Sequence, residues 1–181
     1  MSKRKFGLIL LFVFSAWVTQ VQAGASEEYE LKASMIRLLP MHIDWPENSD
    51  LHDELKPFVI AVIGKNPFGS ILGEILKKTT LKNKKVKIRY ISGVEDIAGS
   101  GCHLLFISKI SKKKLSEIIA VAGDKPILTL ADRKGCAEMG VHINFLVKEN
   151  KLRFEINRQA LRQSGLMINY HLLQLADRII N

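Results

Sequence analysis

Short apolar runs alternate with amphipathic segments through the middle of this chain, and this alternation constrains the fold more than any other feature. The run FVIAVIG at 58–64 is continuously apolar, as is typical of a strand that is covered on both faces. Helical patterns follow at about 68–78 and at 112–122. Three more strand-like runs lie between and after them: VKIRYI (86–91), CHLLFIS (102–108) and PILTLAD (126–132). Strands that alternate with helices predict an α/β domain with a parallel central sheet.

The pattern changes after Gly140, where two strand-like runs meet at Glu149-Asn150, which is a hairpin signal. Asn157 is placed to cap a short helix at 158–163. Apolar residues then recur at helical spacing in an expected last helix: Ile168, Leu172, Leu175, Ala176 and Ile179. The predicted fold class is α/β: a mixed, mainly parallel central sheet covered by helices on both faces, with a C-terminal hairpin and a closing helix.

Residues 1–23, MSKRKFGLILLFVFSAWVTQVQA, have the three parts of an export signal. A basic start precedes an uncharged, mostly apolar run at 6–18, and Val21-Gln22-Ala23 supplies a small-x-small cleavage pattern. Because a spanning helix needs roughly 20 apolar residues, we favour a cleaved signal peptide over a membrane anchor. Cleavage after Ala23 is favoured over cleavage after Ala25, which leaves 24–181 as a single domain.

The charge of the chain narrows the choice of partners. The sequence holds 27 basic and 18 acidic residues, for a net charge of +9, and loss of the three cations of the signal leaves +6. A basic balance usually suggests nucleic acid, but export removes that partner. An anionic membrane surface, an acidic protein face or an anionic small ligand remains. The basic run at 77–89 is either ordinary solvated surface or a region that steers the chain toward such a partner.

Cys102 and Cys136 are the two cysteines of the chain. A disulfide between them would close a loop of about 34 residues and contribute roughly 4 kcal/mol. Cys102 opens one strand, whereas Cys136 follows the end of another that we expect to be parallel, so the two should lie at opposite edges of the sheet. The sequence leaves a disulfide and two free thiols equally open.

No catalytic, metal-binding or cofactor-binding motif stands out. The five histidines do not have the spacing of known metal sites: His42, His52, His103, His142 and His171. The turn IGKNPFG at 63–69 follows a strand, but it lacks the glycine pattern of a phosphate-binding loop. We therefore predict no enzyme activity, no cofactor and no metal.

Trp45 lies at the expected end of a first helix that begins at Ser26, because the residue before Pro46 resists helix. Its ring either packs over the edge of the core or stays exposed as a binding anchor, and the sequence allows both.

The stretch RFEIN at 153–157 places Glu155 and Asn157 on the face opposite Phe154 and Ile156. Asn169 and His171 lie off the apolar stripe of the expected last helix. Strand formation, capping and helix docking explain most of this region. A polar group of Glu155, Asn169 and His171 is left over, and it is a candidate to face a ligand or a partner.

The mature chain resembles the YfiR family of periplasmic proteins along almost its whole length. The resemblance rests on the order and spacing of five blocks: YELKASMIRLLPMHIDWP (29–46), VIAVIGKNPFG (59–69), CHLLFIS (102–108), ILTLAD (127–132) and FEINRQALRQSGLMINYHLLQLA (154–176). It implies a compact α/β fold, a periplasmic location and a homodimer.

The resemblance also implies a function. Family members bind the periplasmic domain of an inner-membrane diguanylate cyclase and hold it inactive, and an outer-membrane lipoprotein relieves the block by sequestering the regulator. It makes Glu155 and Asn157 the first candidates for the partner surface, followed by Trp45, Asn169 and His171. We expect Glu155→Lys to derepress the cyclase without unfolding the protein. The alternative is a periplasmic small-ligand-binding protein without a cyclase partner.

Two departures from the family pattern limit what the resemblance implies. Pro40 stands where family members continue an aromatic-rich helix end, so it should interrupt the first helix. Family members with more cysteines form two disulfides, whereas this chain has two cysteines in all. Redox control is therefore not implied for this chain.

Overall fold

Six α-helices, two 3-10 helices and ten strands make up the described part of the chain, which is residue 24 and residues 26–181 of a computed structural model. The α-helices are α1 (26–38), α2 (Ile71–Leu76), α3 (Asp96–Ser100), α4 (Lys112–Ala122), α5 (Arg158–Gln163) and α6 (Tyr170–Gln174). The strands are β1 (Ile43–Asp44), β2 (Phe58–Ile63), β3 (Thr80–Leu81), β4 (Lys84–Ile91), β5 (Leu104–Ile107), β6 (Leu128–Ala131), β7 (Ile143–Lys148), β8 (Lys151–Asn157), β9 (Met167–Ile168) and β10 (Arg178–Ile180). The 3-10 helices are Leu39–His42 and Asp50–His52.

Eight of the strands form one sheet in the order β10-β8-β7-β6-β5-β2-β4-β3. The strands from β7 across to β4 run parallel, β8 is antiparallel to β7, and β10 is parallel to β8. At the other edge, β3 is antiparallel to β4. The short strands β1 and β9 form a separate antiparallel pair. The predicted mixed, mainly parallel sheet is confirmed.

Both faces of the sheet are covered, as the alternation of side chains along β2 shows. Phe58, Ile60 and Val62 point into a core that α1, α2, α5 and α6 cover, whereas Val59, Ala61 and Ile63 point into a second core under α3 and α4. All six residues are buried because β2 lies between β4 and β5. This position explains the continuous apolar run from which the strand was predicted.

The predicted hairpin is confirmed at the place where the sequence put it. Glu149 and Asn150 join β7 to β8 with φ angles of 50° and 57°. Positive φ at both turn residues matches the right-handed twist of the flanking strands, and asparagine tolerates this conformation better than most residues do.

The C-terminus differs from the predicted long closing helix. α6 is five residues long and buries Leu172, whereas Leu175 and Ile179, which were expected on the same apolar stripe, are exposed. The chain turns back after Leu175, and the backbone N–H of Asp177 donates to Phe154 O at 2.9 Å. β10 then pairs with β8, because β8 would otherwise present an unpaired edge.

The first helix also ends earlier than its apolar spacing predicts. α1 stops at residue 38 and the 3-10 helix Leu39–His42 follows, with Pro40 in its first turn. Proline lacks the backbone N–H that another α-helical turn would require, so the interruption expected at Pro40 is present.

The predicted signal peptide at 1–23 lies outside the described residues, as does Ala25. In the part of the chain that is described, none of the helices has both the length and the apolar character needed to cross a bilayer.

Candidate functional site

Glu155 lies in a row of three polar residues that crosses three neighbouring strands. It is paired in register with Asn144 of β7 and Arg178 of β10. Its Oε2 accepts a hydrogen bond from Asn144 Nδ2 at 3.1 Å, and its Oε1 is 2.8 Å from Arg178 Nη2. Only 7% of Glu155 is exposed, so its carboxylate stabilises the sheet and offers little surface to a partner.

Arg178 is the exposed member of this row, and it also forms an ion pair with Glu138. The hydrogen bond from Arg178 lowers the pKa of the Glu138 carboxyl below its usual value, and the same hydrogen bond raises the pKa of Arg178. Both side chains are about half exposed. The solvent-accessible part of the group is therefore the Arg178–Glu138 pair rather than Glu155.

Asn157 uses its side-chain amide and its backbone N–H in hydrogen bonds to other residues of the fold. Its Oδ1 accepts from the backbone N–H of Ala160 at 2.8 Å, which confirms the predicted cap of α5. Its Nδ2 donates to Ala137 O at 2.8 Å, and its backbone N–H donates to His142 O at 2.8 Å. The side chain is buried, so Asn157 joins α5 to the loop before β7.

Trp45 packs over the edge of the core, which is one of the two positions that the sequence allowed. Its indole N–H donates to Pro126 O at 2.9 Å, and its ring meets Phe58 edge-on with centroids 5.8 Å apart. The Nζ of Lys82 lies 5.7 Å from the ring centroid on the solvent side. Trp45 is buried, and its contacts hold the chain after β1 in place.

Asn169 and His171 are exposed at the start of α6, and Asn169 has a second role as its cap. The Oδ1 of Asn169 accepts from the backbone N–H of His171 at 2.7 Å. The backbone N–H of Asn169 donates to His42 O at 2.8 Å, which continues the pairing of β1 with β9 by one residue. Asn169 therefore ends the two-stranded ribbon that β1 and β9 form, and His171 follows it in the first turn of α6.

The structure does not bring Glu155 together with Asn169 and His171, which was the grouping expected from the sequence. Phe154 and Ile156 point into the core that also holds Leu172 of α6. Glu155 points to the opposite face, because side chains alternate along a strand. The five predicted residues thus divide into a buried set (Trp45, Glu155 and Asn157) and an exposed set (Asn169 and His171).

Three large apolar side chains that neighbour the exposed set along the chain or across the ribbon are also exposed, and the sequence did not mark the two methionines among them. Met41 is 67% exposed, Met167 68% and Tyr170 69%. Ile43 and Ile168, which pair across β1 and β9, pack toward the core and leave the neighbouring positions facing outward. We name the exposed face formed by Met41, Met167, Asn169, Tyr170 and His171 the ribbon surface. No local pattern signals it, since the two strands are far apart in the sequence.

Cys102 and Cys136 are buried, free thiols on the same side of the sheet. Cys102 precedes β5 and Cys136 follows β6, and the two strands are parallel, so the cysteines lie at opposite ends as expected. Burial raises the pKa of both thiols above the usual value for cysteine.

The described residues line several open clefts. Their volumes are about 420 Å³ between α4 and α5, 330 Å³ between α1 and the β7–β8 hairpin, and 450 Å³ between β4 and α3. Within residue 24 and residues 26–181, no three His, Cys, Asp or Glu side chains gather closely enough to hold a metal ion.

Comparison with known proteins places this arrangement in a family. A family model for YfiR/HmsC-like proteins matches residues 29–177. The chain belongs to the YfiR/HmsC-like family. The resemblance that the five sequence blocks carry is thereby confirmed. Members of this family are periplasmic regulators of diguanylate cyclase signalling, and the family is not an enzyme family. A search of the curated proteins found no match.

Nine chains among the solved structures match this protein. A conserved domain protein from Vibrio cholerae O1 biovar eltor strain N16961 superposes with a TM-score of 0.55 at 14% identity, over 83% of this chain and 60% of that one. The chain therefore spans only 60% of its length, and at this identity the likeness shows the fold alone. The ABC domain in complex with L-Trp from Streptococcus pneumoniae reaches a TM-score of 0.49 at 10% identity, over 68% and 55% of the two chains.

Proposed function

We propose that this protein is exported to the periplasm, binds the periplasmic domain of an inner-membrane diguanylate cyclase and represses it, which lowers cyclic-di-GMP signalling. The observation that carries the proposal is the match of the YfiR/HmsC-like family model over residues 29–177. The signal-peptide pattern of residues 1–23 supports export.

The ribbon surface is the part of the molecule that we assign to the cyclase. Tyrosine and methionine are enriched in protein interfaces, and here Met41, Met167 and Tyr170 are all exposed on or beside the β1–β9 ribbon. Asn169 and His171 supply polar groups at the rim of this apolar centre. The ribbon is also rigid, because Ile43 is fully buried beneath it and Trp45 anchors the chain that follows.

The buried members of the predicted set act on the partner surface indirectly in this proposal. Trp45 holds the chain that follows β1 through its hydrogen bond to Pro126. Glu155 and Asn157 link β8 to β7 and to the loop before it. Repression requires that the regulator bind the inactive arrangement of the cyclase more tightly than the active one. An outer-membrane lipoprotein that sequesters the regulator would compete for the ribbon surface.

We also propose a homodimer that uses a different face. Leu31 of α1 and Val147 of β7 are each about half exposed, and both line the cleft between α1 and the hairpin. A second copy of the chain would cover these apolar side chains. Leu31→Glu is expected to shift the sedimentation coefficient to that of a monomer, and Leu55→Glu serves as the control in an exposed loop.

The test of repression measures intracellular cyclic-di-GMP in a deletion strain. Deletion should raise the concentration, and the wild-type gene should restore it. Met167→Asp should fail to restore it, because loss of a central interface residue costs about 2 kcal/mol, or about 30-fold in affinity. Leu55→Asp changes an equally apolar, more exposed side chain away from the ribbon and should restore repression fully.

Two outcomes would contradict the proposal. If deletion leaves cyclic-di-GMP unchanged, the protein does not repress a cyclase under the conditions tested. If Met167→Asp and Tyr170→Asp both restore repression while remaining folded, the ribbon surface does not contact the cyclase.

A further inference from the structure

The basic run at 77–89 contains cations that bond to other residues of the chain and cations that form no ion pair. The Nζ of Lys84 is buried and donates to Asp53 O at 2.5 Å and to Lys56 O at 3.2 Å. Lys82 pairs with Asp44 at 3.4 Å. Lys85, Lys87 and Arg89 make no ion pair among the described residues.

Three of the unused cations share one face of β4. Lys85, Lys87 and Arg89 are every second residue of this strand, so their side chains point the same way. The Nε of Arg89 is buried and has no hydrogen-bond partner in the described part of the chain. A buried guanidinium nitrogen without a hydrogen-bond partner is costly, and an acceptor on a docked partner would remove that cost.

The outer edge of β4 is open beside these cations. On its inner side, residues 86–91 pair with β2, whereas β3 covers the outer side only at Lys84 and Lys85. No other strand of the described chain reaches the outer side of residues 86–91. Every second residue there directs its backbone N–H and C=O away from β2, over a length of roughly 20 Å. This length accommodates an added strand.

We propose that residues 86–91 of β4, with Lys85, Lys87 and Arg89, dock an extended acidic segment of a protein partner as an added strand. Main-chain hydrogen bonds along the edge supply affinity, and carboxylates opposite Lys87 and diagonal to Lys85, where β3 ends, supply specificity. Tyr90 follows Arg89 at the end of the strip, and its half-exposed ring points to the other face of the strand. Arg89 lines an open cleft between β4 and α3. Glu95 and Asp96 line the same cleft, so the acidic side chains of the partner belong at the lysine end.

Edge lysines also occur in sheets that merely avoid association with other sheets, and that role accounts for Lys85 and Lys87. It does not account for the buried Nε of Arg89 or for the exposed ring of Tyr90. The opposite edge of the sheet is less suited to docking, because β10 is three residues long and its Arg178 is already paired with Glu138 and Glu155. This inference is independent of the ribbon surface and of the cyclase.

The experiment uses the exported protein purified from the cell envelope and a synthetic peptide of about ten residues that alternates glutamate with threonine. Fluorescence anisotropy measures binding, and hydrogen exchange with mass spectrometry measures protection of the amides of residues 86–91. We expect slower exchange in this segment when the peptide is bound, and weaker binding as the salt concentration rises. A peptide in which lysine replaces glutamate should not bind.

The deciding variant is Lys85→Glu/Lys87→Glu, which should weaken binding of the acidic peptide by roughly tenfold or more, because two attractions become repulsions. Its matched control is Lys112→Glu/Lys113→Glu, the same charge change at exposed positions of α4, which should bind nearly as the wild type does. Lys87→Glu alone provides an intermediate case if the double variant is unstable.

Three results would overturn the proposal. The first is no binding or protection at millimolar peptide, and the second is equal weakening by the control variant. The third is binding of the protein to vesicles that contain anionic phospholipid, lost in Lys85→Glu/Lys87→Glu, without binding of the peptide. That result would make this face a membrane-contact surface instead.

Discussion

His142 and Thr129 form a reciprocal pair between the end of one loop and the start of a strand. The Nδ1 of His142 accepts from the backbone N–H of Thr129 at 3.1 Å, and the backbone N–H of His142 donates to Thr129 Oγ1 at 3.0 Å. His103 repeats the arrangement on β2, where its Nδ1 accepts from the backbone N–H of Val59 at 3.1 Å. Both imidazoles are buried and must be neutral at Nδ1 to accept these bonds.

The protein should therefore lose stability in mild acid. Burial lowers the pKa of His142 and of His103 to about 4, from an ordinary value of 6.5. The unfolded chain binds protons on these side chains near pH 6.5, whereas the folded chain does so only near 4. The stability is thus complete above about pH 6.5 and falls toward pH 4, by at most about 1.4 kcal/mol per pH unit for His142. His103 should contribute less.

Urea unfolding at several pH values between about 7.5 and 4.5 tests this expectation. In His142→Asn the side-chain oxygen can still accept from Thr129 but no longer titrates, so the acid slope should become shallower. His171→Asn changes an exposed histidine and should keep the wild-type slope. An unchanged slope in His142→Asn would contradict the assignment.

Glu155→Lys should unfold the protein or destabilise it strongly, in contrast to the expectation from the sequence. The substitution would bury an ammonium group beside Arg178 and leave Asn144 without its acceptor. An uncompensated buried charge costs about 3–5 kcal/mol. Glu155→Gln keeps an acceptor for Asn144 and should cost less. Glu138→Gln changes the exposed partner of Arg178 and should alter the urea midpoint little, whereas a near-native midpoint for Glu155→Lys would show that Glu155 is accessible.

The residue pattern predicted the sheet better than it predicted the surface, and Glu155 shows the reason. Alternation correctly places Glu155 opposite Phe154, but it does not show whether the second face of the strand is exposed. In the folded chain β8 lies between β7 and β10, so Glu155 has a neighbour on each side. Asn144 of β7 and Arg178 of β10 contact its carboxylate and leave it buried. The edge strand β10 was missed because its three residues continued a helical spacing. The continuous run of β2 was unambiguous, since it is buried on both sides.

The ribbon surface was beyond prediction for a different reason. β1 and β9 are two residues long and pair antiparallel across most of the chain. Neither has a length or a period that marks a strand, and their pairing depends on how α1 and α6 pack on the sheet. Asn169 and His171 were selected because they lie off an apolar stripe, whereas Met41 and Met167 were not, since exposed methionines look like core residues in a sequence.

Lys32 and Asp132 form a buried ion pair, and removing one partner should be more destabilising than removing both. The Nζ of Lys32 is 2.7 Å from Asp132 Oδ2, which also accepts from the hydroxyl of Tyr29 at 2.9 Å. Burial, together with the charge of Asp132, raises the pKa of Tyr29. Lys32 also pairs with the partly exposed Glu28. Asp132→Leu should therefore cost up to about 3 kcal/mol in urea unfolding, because the buried ammonium group loses one of its two carboxylates, whereas Lys32→Met/Asp132→Leu should recover most of that loss. Equal stability of the single and the double variant would refute this pairing.

Gly64→Ala should be strongly destabilising, because two features of the turn after β2 both require glycine. Gly64 has a φ of 95°, and a Cβ atom there would lie 2.3 Å from the carbonyl oxygen of Ser108, at the end of β5. The turn cannot move away easily, since the backbone N–H of Ser108 donates to Ile63 O at 3.0 Å. We expect a loss of about 3 kcal/mol or more in urea unfolding. Gly73→Ala lies in α2 with open space around it and should instead be neutral or gain up to about 1 kcal/mol. Similar midpoints for the two variants would mean that the β2 and β5 ends are not held as closely as the structure places them.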